Sequence, residues 1–390
     1  MTTSSNPRYQ QLQAWLQSLT KTHALQLDTL ATASSDASFR RYYRLNSSSA
    51  STKTTGQATS YIVMDAPPPY ENCQPFIEVG NLLQTAGLTV PEVIAQNLEH
   101  GFLLLSDLGP TTYLDAIRQG LLQPKSTATQ VGSETTHNTQ AAQPADYAAL
   151  GESTLNNSTL QALYRDAIQA LVKMQQINGS GLPIYTQQWL VDELNLFIEW
   201  YVKHHCQTSL SDADQAMLAH TFKLLAADNM RQPFVLVHRD FHSPNLMLMG
   251  QGQNGRNPGI IDYQDALLGP ISYDIASLVM DARTTWEEDQ QLDWAIRYWE
   301  QARDAKLPVP DSFADFHRNY EWMSLQRNLR ILGVFARLAY RDNKKAYLPH
   351  IPRVNTYIRQ VASRYKQFGP LLKLLNRIHN VEEKVGLSFY

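Results

Sequence analysis

Between Phe234 and Asp265 the chain reads FVLVHRDFHSPNLMLMGQGQNGRNPGIIDYQD, the stretch richest in residues that can do chemistry. His238, Asp240 and Asn245 fall in the order HxDxxxxN, and Asp262 follows two isoleucines beyond a polar turn flanked by short apolar runs. Those types at that spacing suit phosphoryl transfer from ATP. A carboxylate must take the proton of the acceptor hydroxyl, and oxygen ligands must hold Mg²⁺ on the phosphates. Asp240 is the candidate base; Asn245 and Asp262 are the candidate metal ligands. An ordinary loop and a strand-end cap would explain the residues singly, but not the triple together with its apolar flanks.

On these residues the chain resembles the kinase-like superfamily, and more closely small-molecule kinases of the aminoglycoside phosphotransferase type. Protein kinases carry Lys two residues after the catalytic Asp and a DFG triplet at the metal site. Here those places hold His242 and the run Asp262, Tyr263, Gln264, Asp265. Only ALLGPISYD separates Asp265 from Asp274, which leaves little room for a phosphorylated activation loop. Both departures favour a small-molecule acceptor. A narrower resemblance lies in SDASFRRYYR (Ser35–Arg44), VMDAPP (Val63–Pro68), LLLSDLG (Leu103–Gly109) and QRNLRILGVFARL (Gln326–Leu338). These segments are similar to bacterial anomeric kinases of N-acetylmuramate and N-acetylglucosamine, which act in cell-wall recycling. The resemblance implies ATP and Mg²⁺ as cofactors and an amino sugar as acceptor. An anomeric hydroxyl is more acidic than an ordinary alcohol, so one aspartate base with good positioning suffices chemically. His242 and Asp265, with Glu193 and Arg327 from helical segments, are the candidates for acceptor contact, although charged helical residues usually face solvent.

The nucleotide side is less marked. Ser38, Phe39, Arg40 and Arg41 would form the turn covering the phosphates, through backbone N–H groups and two guanidinium groups. No Gly-rich loop is present, and the strand that would carry a phosphate-binding lysine reads Tyr61, Ile62, Val63, Met64, Asp65. Arg41 or Arg44 could supply that charge or be solvated surface residues. Glu78 stands where an ion-pair partner would be, although a charged residue on a helix more often lies on a solvated face. Ser106 to Leu108 would be the hinge whose backbone meets adenine.

The elements that must position these groups divide the chain in two. Phe39–Leu45, Tyr61–Ala66, Val90–Ile94 and Phe102–Leu105 read as strands, and Pro75–Ala86 as a helix with Gly87 at its end. Gln123–Ser158 is polar with few large apolar residues and reads as a flexible insertion. From Leu160 the apolar spacing becomes helical, with further helices over Trp189–His204, Asp281–Arg303 and Phe313–Arg341. Asp274 reads as a helix cap bracing the catalytic loop, His238 as a buried loop anchor, and Tyr320, Trp322 and Phe335 as core. The expectation is an α+β, bilobal, protein-kinase-like fold: a β-rich N-lobe over 1–109 and a mainly helical C-lobe over 110–390, with a cleft between them.

Composition agrees. The 390 residues exceed one small core, 43% are hydrophobic, and a formal charge of −3 gives no support to a nucleic-acid partner. Two distant cysteines, a start without a basic and apolar leader, and no long apolar run point to a cytoplasmic protein without membrane or nucleic-acid partners. It is expected to be a monomer acting on a small sugar. Two rivals remain: a kinase for an aminoglycoside, choline or homoserine, and a catalytically inactive kinase-like binding module suggested by the missing lysine.

Overall fold

The computed structural model describes residues 6–35, 39–48, 60–68, 70–119, 157–250 and 257–381. Ser38 and most of the proposed insertion, through residue 156, lie outside them. The chain opens with α1 (Pro7–His23), capped by the Asn6 side chain, which accepts from the Arg8 N–H at 3.0 Å. Then come β1 (Leu25–Ser35), β2 (Arg41–Ser47), β3 (Ser60–Asp65), α2 (Gln74–Thr85), β4 (Val93–Asn97) and β5 (Phe102–Ser106). The strands form one antiparallel sheet in the order β1-β2-β3-β5-β4.

Successive side chains alternate between the faces of this sheet. Leu45, Val63, Phe102 and Leu104 join Leu12 and Leu16 of α1 in a small outer core. Met64, Leu103 and Leu105 turn the other way, toward Phe76, Val79 and Leu83 of α2. That inner cluster continues without a break into the helical half of the molecule. The two lobes therefore share one main core, while the outer cluster serves only α1 and the sheet.

After the hinge come α3 (Tyr113–Arg118), α4 (Asn157–Gln175) and α5 (Gln187–Leu196), which runs on into a π-helical segment over Phe197–His205. The C-lobe continues with α6 (Asp212–Asn229), β6 (Phe234–Val237), β7 (Leu246–Met247), β8 (Gly259–Ile260), β9 (Leu267–Pro270), α7 (Tyr273–Val279), α8 (Glu288–Asp304) and α9 (Phe313–Tyr340). It closes with α10 (Ile351–Ala362) and α11 (Gly369–Ile378). Helix α9 is the axle: α5, the π-helical segment, α6, α7, α8 and α10 all pack on it. Its Gly333 allows this, because a Cβ there would strike the backbone of Leu196 and Phe197. Tyr320, Trp322 and Phe335 are buried along it.

Several boundaries differ from the sequence reading, among them β2, which runs Arg41–Ser47 rather than Phe39–Leu45. The helix expected from Asp281 begins only at Glu288, because 281–287 is held in a turn by the Asp281 carboxylate. The strand expected over Val90–Ile94 runs from Val93 to Asn97. No helix among the described residues is long and apolar enough to cross a membrane.

Candidate active site

Strand β6 delivers the chain to His238, and Arg239 then turns it sharply with φ +75°, a left-handed conformation that costs a non-glycine residue about 1 kcal/mol or more. The turn aims two successive N–H groups at one carboxylate. Asp274, fully buried in the first turn of α7, accepts from the His238 N–H at 2.7 Å and the Arg239 N–H at 3.0 Å. Burial pushes its carboxyl up to about 7, against the pull of those bonds and of Arg327. His238 Nε2 lies 3.0 Å from the Ile261 carbonyl, which fixes it as donor, and Nδ1 accepts the Asp240 N–H at 3.3 Å. A buried neutral His238 thus ties the catalytic loop to the strand leading to Asp262. The Arg239 side chain is anchored too, donating to Glu193 at 2.7 Å and to the Tyr185 hydroxyl at 3.1 Å.

Asp240 emerges from this frame with its side chain 39% exposed, enough for an acceptor to reach it. Its carboxylate lies 3.7 Å from Arg327 Nη2 and 3.8 Å from His242 Nε2. Burial alone would raise the Asp240 carboxyl, but the charges of Arg330, His242, Arg327 and Arg239 hold it well below the usual carboxylate range. His242 is itself pushed down to about 3, chiefly by burial, so at neutral pH the field comes from the three arginines. The outcome is an ionised carboxylate at an accessible edge, the protonation state a general base requires.

Asn245 and Asp262 converge on the same point. Asn245 Nδ2 donates to the Asp240 carbonyl at 3.0 Å and to Asp262 Oδ2 at 3.2 Å, which leaves Oδ1 as its oxygen donor. Asp262, at φ +65°, is steadied by Gln264 Nε2 at 2.8 Å. One amide oxygen and one carboxylate are hard donors that fit Mg²⁺, an ion that takes one or two protein ligands and completes its shell with phosphate and water. Among the described residues no group of three His, Cys, Asp or Glu could hold an ion by itself. The pairing of β7 and β8 brings the two ligands together, and Gly259 keeps that ribbon close to the hinge. A Cβ at Gly259 would lie 2.9 Å from both Leu108 and Met249.

The N-lobe candidates are arranged differently from the sequence expectation. Arg44 is committed to Asp107, with bonds of 2.6 and 2.9 Å, and also donates to the Gly109 carbonyl at 2.9 Å. It braces the hinge rather than standing free for phosphate. Arg40 pairs with Glu71 at 2.9 Å, and the Phe39 N–H donates to the same carboxylate at 3.1 Å, so this turn is clasped to the segment after β3. Exposed Arg41 faces Asp65 across the β2–β3 ladder, while Asp65, in the place of the missing lysine, is taken up by Arg8 of α1. Glu78 bonds to Gln74 at 2.8 Å and lines a cavity of about 450 Å³ with Asn81, Leu82 and Lys173. It forms no ion pair with β3, which has no lysine to offer. The Ser106 hydroxyl accepts from the Glu92 N–H at 2.8 Å, and Leu108 is buried under the hinge.

Of the acceptor candidates, Arg327 and His242 reach Asp240, and Asp265 is exposed three residues beyond Asp262. Glu193 does not reach it. This buried residue sits behind the loop, held by Arg239, Tyr185 and Arg330 Nε at 3.3 Å, and its place is structural. Sequence reasoning missed Arg239, Arg330 and Asp281. The signal was present for Arg330, one turn after Arg327 and flanked by Leu329 and the apolar run Ile331–Phe335, since a buried guanidinium needs a charged partner.

The sheet, the hinge and the braced catalytic loop define the class as a kinase-like phosphotransferase of two lobes. The model of the phosphotransferase enzyme family matches residues 29–316, and the chain belongs to that family. It is 38% identical over 376 residues to the N-acetylmuramate/N-acetylglucosamine kinase of Pseudomonas putida, with 94% of this chain and 96% of the relative covered. It is 39% identical over 362 residues to the kinase of the same name from Neisseria meningitidis, with 92% and 94% covered. Among solved structures, choline kinase LicA from Streptococcus pneumoniae gives a TM-score of 0.53 at 12% identity, covering 91% of this chain and 99% of that one. Identity that low speaks to the fold alone.

Proposed function

We propose that this protein transfers the γ-phosphoryl group of ATP to the anomeric hydroxyl of N-acetylmuramate and N-acetylglucosamine, as a cytoplasmic monomer in cell-wall recycling. The observation that carries the reading is the accessible Asp240 carboxylate, kept ionised by arginines, in a chain alike along nearly its whole length to kinases bearing those sugars' names. Asp240 would accept the proton of the C1 hydroxyl as that oxygen bonds to the γ-phosphorus and the bond from that phosphorus to the departing ADP breaks, while Arg327 holds the carboxylate in place. Asn245 Oδ1 and Asp262 would hold Mg²⁺, which would offset the charge of the phosphates. The hinge at Ser106–Leu108 would seat adenine.

A rival acceptor such as an aminoglycoside is polycationic, and Arg239, Arg327 and Arg330 around Asp240 make this neighbourhood hostile to it. An inactive binding module is disfavoured by the convergence of Asp240, Asn245 and Asp262. The test is ATP turnover against both sugars, their 1-O-methyl glycosides, an aminoglycoside and choline, with phosphorus NMR of the product. Acid-labile sugar 1-phosphates from both sugars, and no product from the methyl glycosides, are expected. A 6-phosphate product, or turnover of the blocked glycosides, overturns the anomeric assignment.

A further inference from the structure

N-acetylmuramate differs from N-acetylglucosamine by a lactyl ether that ends in a carboxylate. A site that accepts both sugars must offer that anion a place which the neutral sugar can leave empty. The turn at 281–287, where a helix was expected, supplies one. Asp281 accepts from the Ser243 N–H at 3.2 Å and from the Ser243 hydroxyl, which binds the turn to the catalytic loop just past His242. Its other oxygen takes the Arg283 N–H at 2.9 Å.

Arg283 then extends a half-buried guanidinium that lies 5.8 Å from the centre of the Phe335 ring. Among the described residues this guanidinium has neither a hydrogen bond nor an ion pair, although Arg318, Arg359 and Arg364 elsewhere in the C-lobe are all engaged. Apart from the Asp281 carboxylate of its own turn, the charged groups around it are cationic. The His350 ring lies 6.0 Å from that of Phe335 and is pushed down to about 4 by burial and by Arg283, Arg353 and Arg118. Arg353 Nη1 donates to the Ala282 carbonyl at 3.0 Å and pins the turn from its far side. His242, 7% exposed with its Nδ1 unpartnered, lies 3.8 Å from Asp240 and feels the charge of Arg283 as well. The buried carboxylate of the group, Asp281, is already spent on Ser243 and on the Arg283 backbone. A planar fork with no carboxylate bonded to it matches an incoming carboxylate with two parallel N–H bonds.

We propose that Arg283 is the specificity-determining residue that holds the lactyl carboxylate of N-acetylmuramate, on the Phe335 side of the Asp240 site. This rests on the sugar-kinase reading above. The experiment measures kcat and KM of the full-length protein and of Arg283→Gln and Arg283→Lys on three acceptors: N-acetylglucosamine, N-acetylmuramate, and N-acetylmuramate with its carboxylate converted to a carboxamide. For Arg283→Gln, kcat/KM on the acid should fall about 10- to 100-fold relative to that on N-acetylglucosamine, as loss of a charge-assisted hydrogen bond requires, and mainly through KM. The carboxamide should show no such selective loss. Arg283→Lys keeps the charge without the fork and should recover part of the ratio, which also serves if the Gln variant folds poorly. An unchanged acid-to-neutral ratio in both variants, or equal selective losses for acid and carboxamide, overturns the proposal. Failure of the unaltered protein to phosphorylate either sugar overturns the functional reading itself, and is distinguishable because it appears before any substitution is made.

Discussion

At the scale of single residues, the site is an exercise in holding one carboxylate ionised and reachable. Asp240→Asn keeps size and most contacts but cannot take a proton, so kcat should fall by about 10²- to 10⁴-fold while sugar and nucleotide binding persist; near-normal turnover would remove Asp240 as the base. The sign of the pH effect follows from the arginine field. A depressed carboxyl contributes stability above its ordinary range and loses it only as pH falls through the lower folded value. Asp240 therefore stays ionised well into acid, and it does not set an acid limb near the ordinary carboxylate range. Arg327→Gln weakens the field, so the Asp240 carboxyl should move back toward its ordinary range, read directly by NMR titration of the carbon-13-labelled carboxylate; an unmoved titration would show that Arg327 does not tune the base. At the metal ligands, Asp262→Ala should abolish turnover, whereas Asn245→Ala should be partly rescued by added Mg²⁺, since the charged ligand contributes more. Full activity of Asp262→Ala at ordinary Mg²⁺ would take it out of the metal site.

At the scale of elements, what was legible in the sequence and what was not separate along one physical line. Strands β3 and β5 are short continuous apolar runs and helices α2 and α9 carry apolar residues at helical spacing, and their places follow from those patterns. The catalytic loop was legible because its chemistry is compressed into consecutive residues. Pairings between distant segments were not. Arg44 meets Asp107 from 63 residues away, and no local pattern marks either as the other's partner. Strand β1, LQLDTLATASS, hides in a largely polar sequence, and α1 buries only Leu12 and Leu16. The hinge brace makes its own prediction. Among the described residues, Arg44→Ala leaves Asp107, 5% exposed, with only Ser60 and the Gly109 N–H as partners. Because Arg44 is itself a third exposed, the cost should be about 1–2 kcal/mol in thermal unfolding, with a raised KM for ATP as the hinge loosens. A raised KM with unchanged stability would return Arg44 to the phosphate-binding role that its position in the sequence first suggested.

At the scale of the whole molecule, the question is whether two lobes mean two cooperative units. The main apolar cluster joins Met64, Leu103 and Leu105 of the sheet through α2 to the C-lobe, so the division near residue 109 that the sequence suggests is not a division of the core. Helix α2 is the coupling element. Phe76 stacks on Tyr263, next to the metal ligand Asp262, with ring centres 4.8 Å apart and planes inclined by 27°. Gly80, one turn on, admits the same ring, since a Cβ there would lie 2.8 Å from the Tyr263 hydroxyl oxygen. Phe76→Ala removes a side chain only 3% exposed from the seam between sheet, helix and metal loop, and should cost about 3–5 kcal/mol. Because the seam belongs to a continuous core, calorimetry should show one transition moved down by several degrees, with KM for ATP raised through displacement of Asp262. Two separated transitions in the unaltered protein would show that sheet and helices unfold independently. A single transition in the unaltered protein that splits in Phe76→Ala would instead identify this one ring stack as the contact on which their cooperativity depends.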